Sequence, residues 1–286
     1  MSASAEPSLV YVYAVCRPLG APLAADLTGI GGVPPRQLRH EGLTAVVGAV
    51  PRGEFAEEPL RAHLEDLDWL AATARAHQRV IGALTTVTCP LPLRLATVFR
   101  DDSGVRAMLE DSADRFRAVL ERIDGCVEWG VKVHMGGEGS AGATGTTGMT
   151  GATRSAGSGP SQEGRPRTGR DYLRRRRGQR TAQEENWERA ESFARRLHEE
   201  LSLRADDSRL HAPQNSALSR TPGRNILNAA YLVPRSRSEE FVELVDRTKD
   251  AGQAGAGLRV ELTGPWAAYS FAGSFSGPAA DGGEAS

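Results

Sequence analysis

The stretch from Gly136 to Gly169 constrains this chain more than any other. It holds 11 glycines and almost no large apolar side chain. Such a segment buries too little surface to offset the entropy of ordering it, which predicts a flexible linker over 136–169 with a folded part on either side. Glycine recurs every third residue from Gly139 to Gly151. That run is about five triplets long and contains no proline, so it does not describe a collagen helix. Residues 8–135 and 170–273 then read as two domains, in line with about two domains for 286 residues. The small, polar residues 274–286 predict a disordered tail.

In the first part, the β-branched and aromatic run Leu9–Cys16 predicts a buried strand. Residues 36–40 and 43–50 around Glu41-Gly42 predict a hairpin. From Pro59 onward, Leu60, Leu64, Leu67, Ala71, Ala74, Gln78 and Ile81 fall on one face of a single long helix. Pro90 and Pro92 end it and force 91–99 into an extended path. Ser103 is in place to cap a second helix, with Val105, Met108, Leu109, Phe116, Val119, Leu120 and Ile123 facing inward, and Gly125 stops it. Val127, Trp129, Val131 and Val133 alternate with Glu128, Gly130, Lys132 and His134, the period of a half-buried strand that closes the first part. The order predicts an N-terminal α/β domain with a mixed sheet and long helices covering one sheet face.

In the second part, Trp187, Ala190, Ala194, Leu197 and Leu201 form a helical stripe, and residues 224–233 a strand ending at Pro234. Ser236 and Glu239 match a capping box ahead of Phe241, Leu244 and Val245. Residues 252–257 read as a turn, and Leu258, Val260 and Leu262 as a strand broken at Gly264-Pro265. Helix, strand, helix, strand, strand predicts a small ferredoxin-like α+β domain, so the chain as a whole belongs to the α+β class.

The chemistry of catalysis and cofactor binding has no signature here. No glycine-rich loop ends in Gly-Lys-Ser/Thr, and no dinucleotide fingerprint, nucleophile elbow or HExxH helix occurs. His63 and His77 lie about 21 Å apart along a helix, too far to share a metal. Cys16, Cys89 and Cys126 have neither disulfide nor zinc spacing. These absences predict a protein that is not an enzyme and takes no cofactor, metal or small-molecule substrate. A formal charge of -1 lacks the basic footprint of a nucleic-acid binder. No run reaches the length of a membrane span, and Met1–Pro7 lacks the features of a secretory signal, which predicts a cytoplasmic protein without membrane contact. The sharpest charge feature is Arg174–Arg177, which with Arg170, Arg180 and Asp171 makes a local excess of five positive charges. It reads either as a docking site for an acidic partner or nucleic acid, or as a solvated helix surface facing Glu184, Glu185 and Glu188.

Six segments, in order, resemble the gas vesicle accessory proteins GvpL and GvpF. They are the opening strand at Leu9, the 74–80 helix motif around His77, the 92–99 segment Pro-Leu-Arg-Leu-Ala-Thr-Val-Phe, the strand Val127-Glu-Trp-Gly-Val-Lys-Val, the helix start Gly169-Arg-Asp-Tyr-Leu, and the ending Leu262-Thr-Gly-Pro-Trp-Ala-Ala-Tyr-Ser-Phe271. Leu95 and Ala96 depart from an aromatic and a glycine, and Ala267 and Ala268 from two prolines. The resemblance implies a non-enzymatic part in nucleating and assembling the gas vesicle shell, through contacts with the hydrophobic shell protein GvpA and other accessory proteins, and a location on or near the vesicle. The residues offered as partner contacts are Arg94, on the path preset by two prolines, and the aromatics Trp266, Tyr269 and Phe271. Each has a structural alternative: Arg94 could satisfy helix-end carbonyls or a carboxylate, and the aromatics could close the second domain's core.

Overall fold

The computed structural model describes residues 8–136, 169–212 and 224–273. The predicted linker (but for Gly136 and Gly169) and the predicted tail lie outside the described residues. Two antiparallel sheets carry the chain. The first contains β1 (Ser8–Cys16), β2 (Arg36–His40), β3 (Leu43–Pro51), β4 (Leu91–Pro92) and β5 (Val98–Phe99). Its order is β2-β3-β1-β4, with β5 also paired to β1. The second contains β6 (Cys126–Met135), β7 (Asp207–Leu210), β8 (Arg224–Pro234) and β9 (Leu258–Trp266), in the order β7-β8-β6-β9. Every pairing is antiparallel, so the mixed first sheet expected from sequence is replaced by a purely antiparallel one. The hairpin turn Glu41-Gly42, with φ 46° and 77°, returns the chain beside itself, and β1 then takes the middle between β3 and the β4–β5 edge.

The helices are α1 (Arg52–Phe55), α2 (Glu57–His63), α3 (Leu67–Thr85), α4 (Asp102–Asp111), α5 (Ala113–Arg122), α6 (Gly169–Ser202) and α7 (Ser238–Ala256). They stack with the sheets in five layers. Phe55 of α1 and Val80, Ile81 and Leu84 of α3 pack on Tyr11 and Tyr13 of β1. The opposite face of β1 (Val10, Val12, Val15) packs on Val105, Leu109, Phe116 and Leu120 of α4 and α5, and this same cluster takes in Ala230 and Leu232 of β8. The far face of the second sheet (Trp129, Val131, Tyr231, Val233) is covered by Ala190, Leu197 and Leu201 of α6 and by Phe241 and Val245 of α7. Helices therefore line both faces of the first sheet, not one.

Four local expectations change. The single helix from Pro59 breaks, because Asp66 accepts from the N–H groups of Asp68 and Trp69 and starts α3 afresh. Leu64 and Leu67 are consequently exposed, and the buried stripe of α3 is Thr73, His77, Val80, Ile81 and Leu84. The second helix is capped by Asp101, which accepts from Gly104 N, and divides at Ser112. The capping box at Ser236 gives way to a 3-10 turn over Arg235–Arg237, and α7 starts at Ser238. The helix also runs through the predicted turn to Ala256 before Gly257, φ 61°, ends it.

The largest correction concerns β6. Sequence order assigned it to the first part, yet it pairs along its whole length with β8 and β9. The run β6-α6-β7-β8-α7-β9, with strand order β7-β8-β6-β9, is the ferredoxin-like arrangement. The expected ferredoxin-like unit is present, but it opens at Cys126 and not near Arg170. As a central strand, β6 is covered on both faces, and so Glu128 and His134 are buried where alternation predicted solvent.

Candidate functional site

The residues from Trp266 to Phe271 meet every layer but the outermost helices of the second sheet. Gly264, φ 128°, lets the last residues of β9 pass close against β6: a Cβ there would lie 2.8 Å from the Glu128 carbonyl oxygen. Ala267 then enters the cluster beneath α3, whereas Ala268, Phe271 and Ala272 enter the cluster between the sheets. Phe271 is fully buried there, beneath the Arg209 guanidinium 5.5 Å from its ring centre. Its carbonyl accepts from Arg122 Nη2 of α5 at 2.6 Å. Tyr269 turns the other way, and its hydroxyl donates to Gln78 Oε1 of α3 at 2.8 Å. Burial raises the phenol's pKa, so it stays a neutral donor.

Ser270 is the anchor between them. Its backbone N–H and its hydroxyl both donate to the Glu128 carboxylate, each at 2.7 Å, and His211 Nε2 lies 3.1 Å from the same hydroxyl. Burial raises the pKa of Glu128, against the two Ser270 bonds and the charges of His211 and Arg209, which lower it. A serine, a histidine and a carboxylate in contact invite comparison with a nucleophile site. There the histidine takes the serine proton and the acid orients the histidine. Here the acid binds the serine itself, so the serine proton is directed to a carboxylate, and the arrangement is a clamp on the C-terminal segment. Sequence reading missed Glu128, Ser270 and His211 because they lie far apart in the chain. The one local signal was a carboxylate next to a tryptophan in an otherwise apolar strand.

A second polar cluster lies beneath α3. The Ala96 N–H donates to Tyr11 Oη at 3.1 Å, and His77 Nδ1 shares a hydrogen bond with the same oxygen at 2.9 Å. His77 Nε2 has no partner among the described residues. Burial lowers its pKa to about 4, so it is neutral near pH 7. Tyr13 Oη accepts from the Ile30 N–H at 2.9 Å and pins the connection after β1. Among the described residues no group of three or more His, Cys, Asp or Glu side chains could hold a metal ion, and no helix is long and apolar enough to cross a membrane.

The four residues named from sequence are therefore not one site. Tyr269 and Phe271 belong to the clamped segment 266–272, the clasp between the two sheets, and are half-buried and fully buried respectively. Trp266, at the end of edge strand β9, is 43% exposed. Arg94 is exposed on the loop between β4 and β5, where its carbonyl accepts from Thr97 N and Oγ1. Trp129, expected to fill a core, does so, beside Val127, Val131 and Val133. The arginines 174–177 lie on the exposed N-terminal half of α6.

Comparison with known proteins agrees with this architecture. Residues 9–273 match the family described as gas vesicle synthesis protein GvpL/GvpF. The chain is 57% identical over 265 residues to gas vesicle protein L of Streptomyces sp. (strain CB03234), covering 93% of each chain. It is 28% identical over 269 residues to gas vesicle protein F of the same strain, covering 91% of this chain and 98% of that one. Among solved structures, GvpF from Anabaena sp. PCC7120 superposes with a TM-score of 0.62 at 18% identity, over 93% of this chain and 98% of that one. GvpF from Microcystis aeruginosa gives 0.60 at 17% identity, over 92% and 98%. With the family pattern running from the first residue of the opening strand's apolar core to the end of the clasp, the chain belongs to the GvpL/GvpF family of gas vesicle synthesis proteins.

Proposed function

We propose that this protein assists nucleation and assembly of the gas vesicle by binding other vesicle proteins, the shell subunit GvpA first among them, and turns over no substrate. The observation that carries this reading is the family match over residues 9–273. The physical rationale is that a very hydrophobic shell subunit needs its apolar surface covered before it assembles. Of the residues singled out, Trp266 and Arg94 remain in reach of a partner, and tryptophan and arginine are the residue types most enriched at energetically dominant interface positions. Tyr269 and Phe271 support such a surface from within by fixing the segment on which Trp266 sits.

The test is capture of co-expressed GvpA by the intact protein, repeated with Trp266→Ala and Arg94→Ala after circular dichroism has shown a native fold. Loss of capture by about tenfold or more in Trp266→Ala supports the assignment of the contact. Unchanged capture removes Trp266 from the interface. Failure of the unaltered protein to capture GvpA or any other vesicle protein overturns the reading as a whole.

A further inference from the structure

The edge of a sheet is a row of backbone N–H and C=O groups able to pair with another chain, and the two sheets manage their edges unequally. The outer edge made by β4 and β5 is split into two strands of two residues each, and β7 has only four residues. β2 has five, of which Arg36, Arg39 and His40 are basic, so a second β2 laid beside it would meet like charge. β9 differs from all of these. It has nine residues, and among the described residues it pairs with β6 alone. Its ladder with β6 is regular from Leu258 to Thr263, and the register shifts only beyond that point, towards Trp266.

The regular stretch is its own complement. Residues 258–262 read Leu-Arg-Val-Glu-Leu. Leu258, Val260 and Leu262 turn to the cluster under α6 and α7, and Arg259 and Glu261 share the opposite face. Arg259 is exposed. The Glu261 side chain is 36% exposed, with one carboxylate oxygen 3.8 Å from His134 Nε2 on the neighbouring strand. An ionised carboxylate offers about four acceptor positions on its two oxygens, so a neighbour inside the chain does not exhaust it.

Laid antiparallel beside itself about Val260, the stretch sets Arg259 of each copy opposite Glu261 of the other, and Leu258 of each opposite Leu262 of the other. The alternatives are penalised. A slip of two residues sets Arg259 against Arg259 or Glu261 against Glu261. A slip of one sets the helix-covered face of one copy beside the opposite face of the other. The two charges that guard this edge against indiscriminate pairing therefore admit one partner in one register. We propose that β9 pairs antiparallel with β9 of a second copy of this chain, about a two-fold axis at Val260. The contact is isologous, so association stops at two copies. The second sheets of the two copies become one continuous sheet, with α6 and α7 of both copies on the same side of it. Trp266 lies beyond the paired stretch, and the dimer leaves it to the GvpA contact proposed above. The stretch is short, which places the association in the weak, micromolar class.

The experiment is sedimentation velocity on the full-length protein, on Arg259→Glu, on Glu261→Arg and on the double exchange that carries both, each checked for native circular dichroism. The unaltered protein is expected to move from monomer towards twice that mass across a roughly hundredfold rise in concentration, and no further. Either single variant sets like charges opposite each other at both pairs, and its dimer dissociation constant is expected to rise by about tenfold or more. An equimolar mixture of the two single variants restores opposite charges at both pairs, as does the double exchange by itself, and each is expected to regain the association. A monomeric unaltered protein overturns the proposal. So does mass that grows beyond two copies, association that both single variants retain, or a double exchange that stays monomeric. Should Glu261→Arg misfold, amide hydrogen exchange in residues 258–262 decides in its place. Exchange that slows with concentration in the unaltered protein but not in Arg259→Glu supports the pairing, and exchange independent of concentration in the unaltered protein overturns it.

Discussion

The two sheets share one strand order and solve the same connection in different ways. In each, the first strand is central, the second and third form an antiparallel pair at one side, and the last strand lies at the other edge. In the second sheet, the chain travels from β6 to the β7–β8 pair through α6, which covers a sheet face with Ala190, Ala194, Leu197 and Leu201. In the first, residues 17–35 make the same journey with only a 3-10 turn at Ile30–Gly32. A single phenol stands in for the helix's packing there. Tyr13 Oη accepts from Ile30 N, and Gly29 passes so close that a Cβ would lie 2.2 Å from that oxygen. The edge strands differ as well: β9 pairs along most of its length with β6, but the corresponding edge of the first sheet is split into β4 and β5 around Arg94–Thr97. One topology thus tolerates a helix or a pinned loop as its crossover, provided the buried polar groups of that crossover find partners.

The comparison is sharpest where the halves meet. If one clasp joins both sheets, Phe271→Ala removes the side chain that fills the space between them and lowers stability by about 3–5 kcal/mol, read from urea unfolding. A loss below about 1 kcal/mol would break the view that the sheets share one core through this segment.

A pH effect specific to the first sheet comes next. His77 has its folded-state pKa lowered by burial to about 4, against 6.5 unfolded. Below 6.5 the unfolded chain takes up a proton that the folded chain refuses, so stability falls as pH drops from about 6.5 to 4 and levels off beneath, a loss of about 3 kcal/mol. Burial lowers the pKa of His134 as well and works in the same direction, whereas the raised Glu128 carboxyl works oppositely in the acid range. Thermal midpoints of His77→Gln measured between pH 7 and 4.5 should show a flatter dependence than those of the unaltered protein. An unchanged slope would remove His77 as its source.

The crossovers themselves are compared by removing one oxygen from each. Tyr13→Phe leaves the buried Ile30 N–H without its acceptor and costs about 1–3 kcal/mol. Tyr231→Phe removes the hydroxyl 2.8 Å from the part-buried His198 Nδ1, an imidazole nearer to water, and costs about 0.5–1.5 kcal/mol. Equal costs would mean that the loop crossover of the first sheet is no more dependent on its phenol than the helical one. The smallest expected effect is at Trp266, whose truncation to alanine stays within about 0.5 kcal/mol in unfolding measurements because the residue is 43% exposed at the end of an edge strand. A larger cost would place the ring's role inside the molecule.

What could be read directly from residues was whatever depends on neighbours a few positions away. The β1 run, the 41–42 turn, the inward stripe of α4 and α5, the strand β8 and the first part of β9 follow from local periodicity and turn chemistry, whereas β9 continues through the Gly264-Pro265 break expected from sequence to Trp266. The family resemblance followed in the same way, since it rests on short motifs whose order survives. Where capping competed, sequence placed the signal a residue or two away, at Ser103 instead of Asp101, because both side chains can accept and only the chain's entry angle selects between them.

Tertiary structure alone decided the rest. Strand pairing is non-local, so nothing in residues 126–135 announces that they pair with residues 224–234 and 258–266 and not with the strands just before them. That single choice makes β6 central and buries Glu128. It turns Ser270 into a clamp and draws Phe271 inward while leaving Trp266 outside. Amphipathic periods record that a residue has a buried face, but which layer covers that face is settled only when distant apolar surfaces are removed from water together.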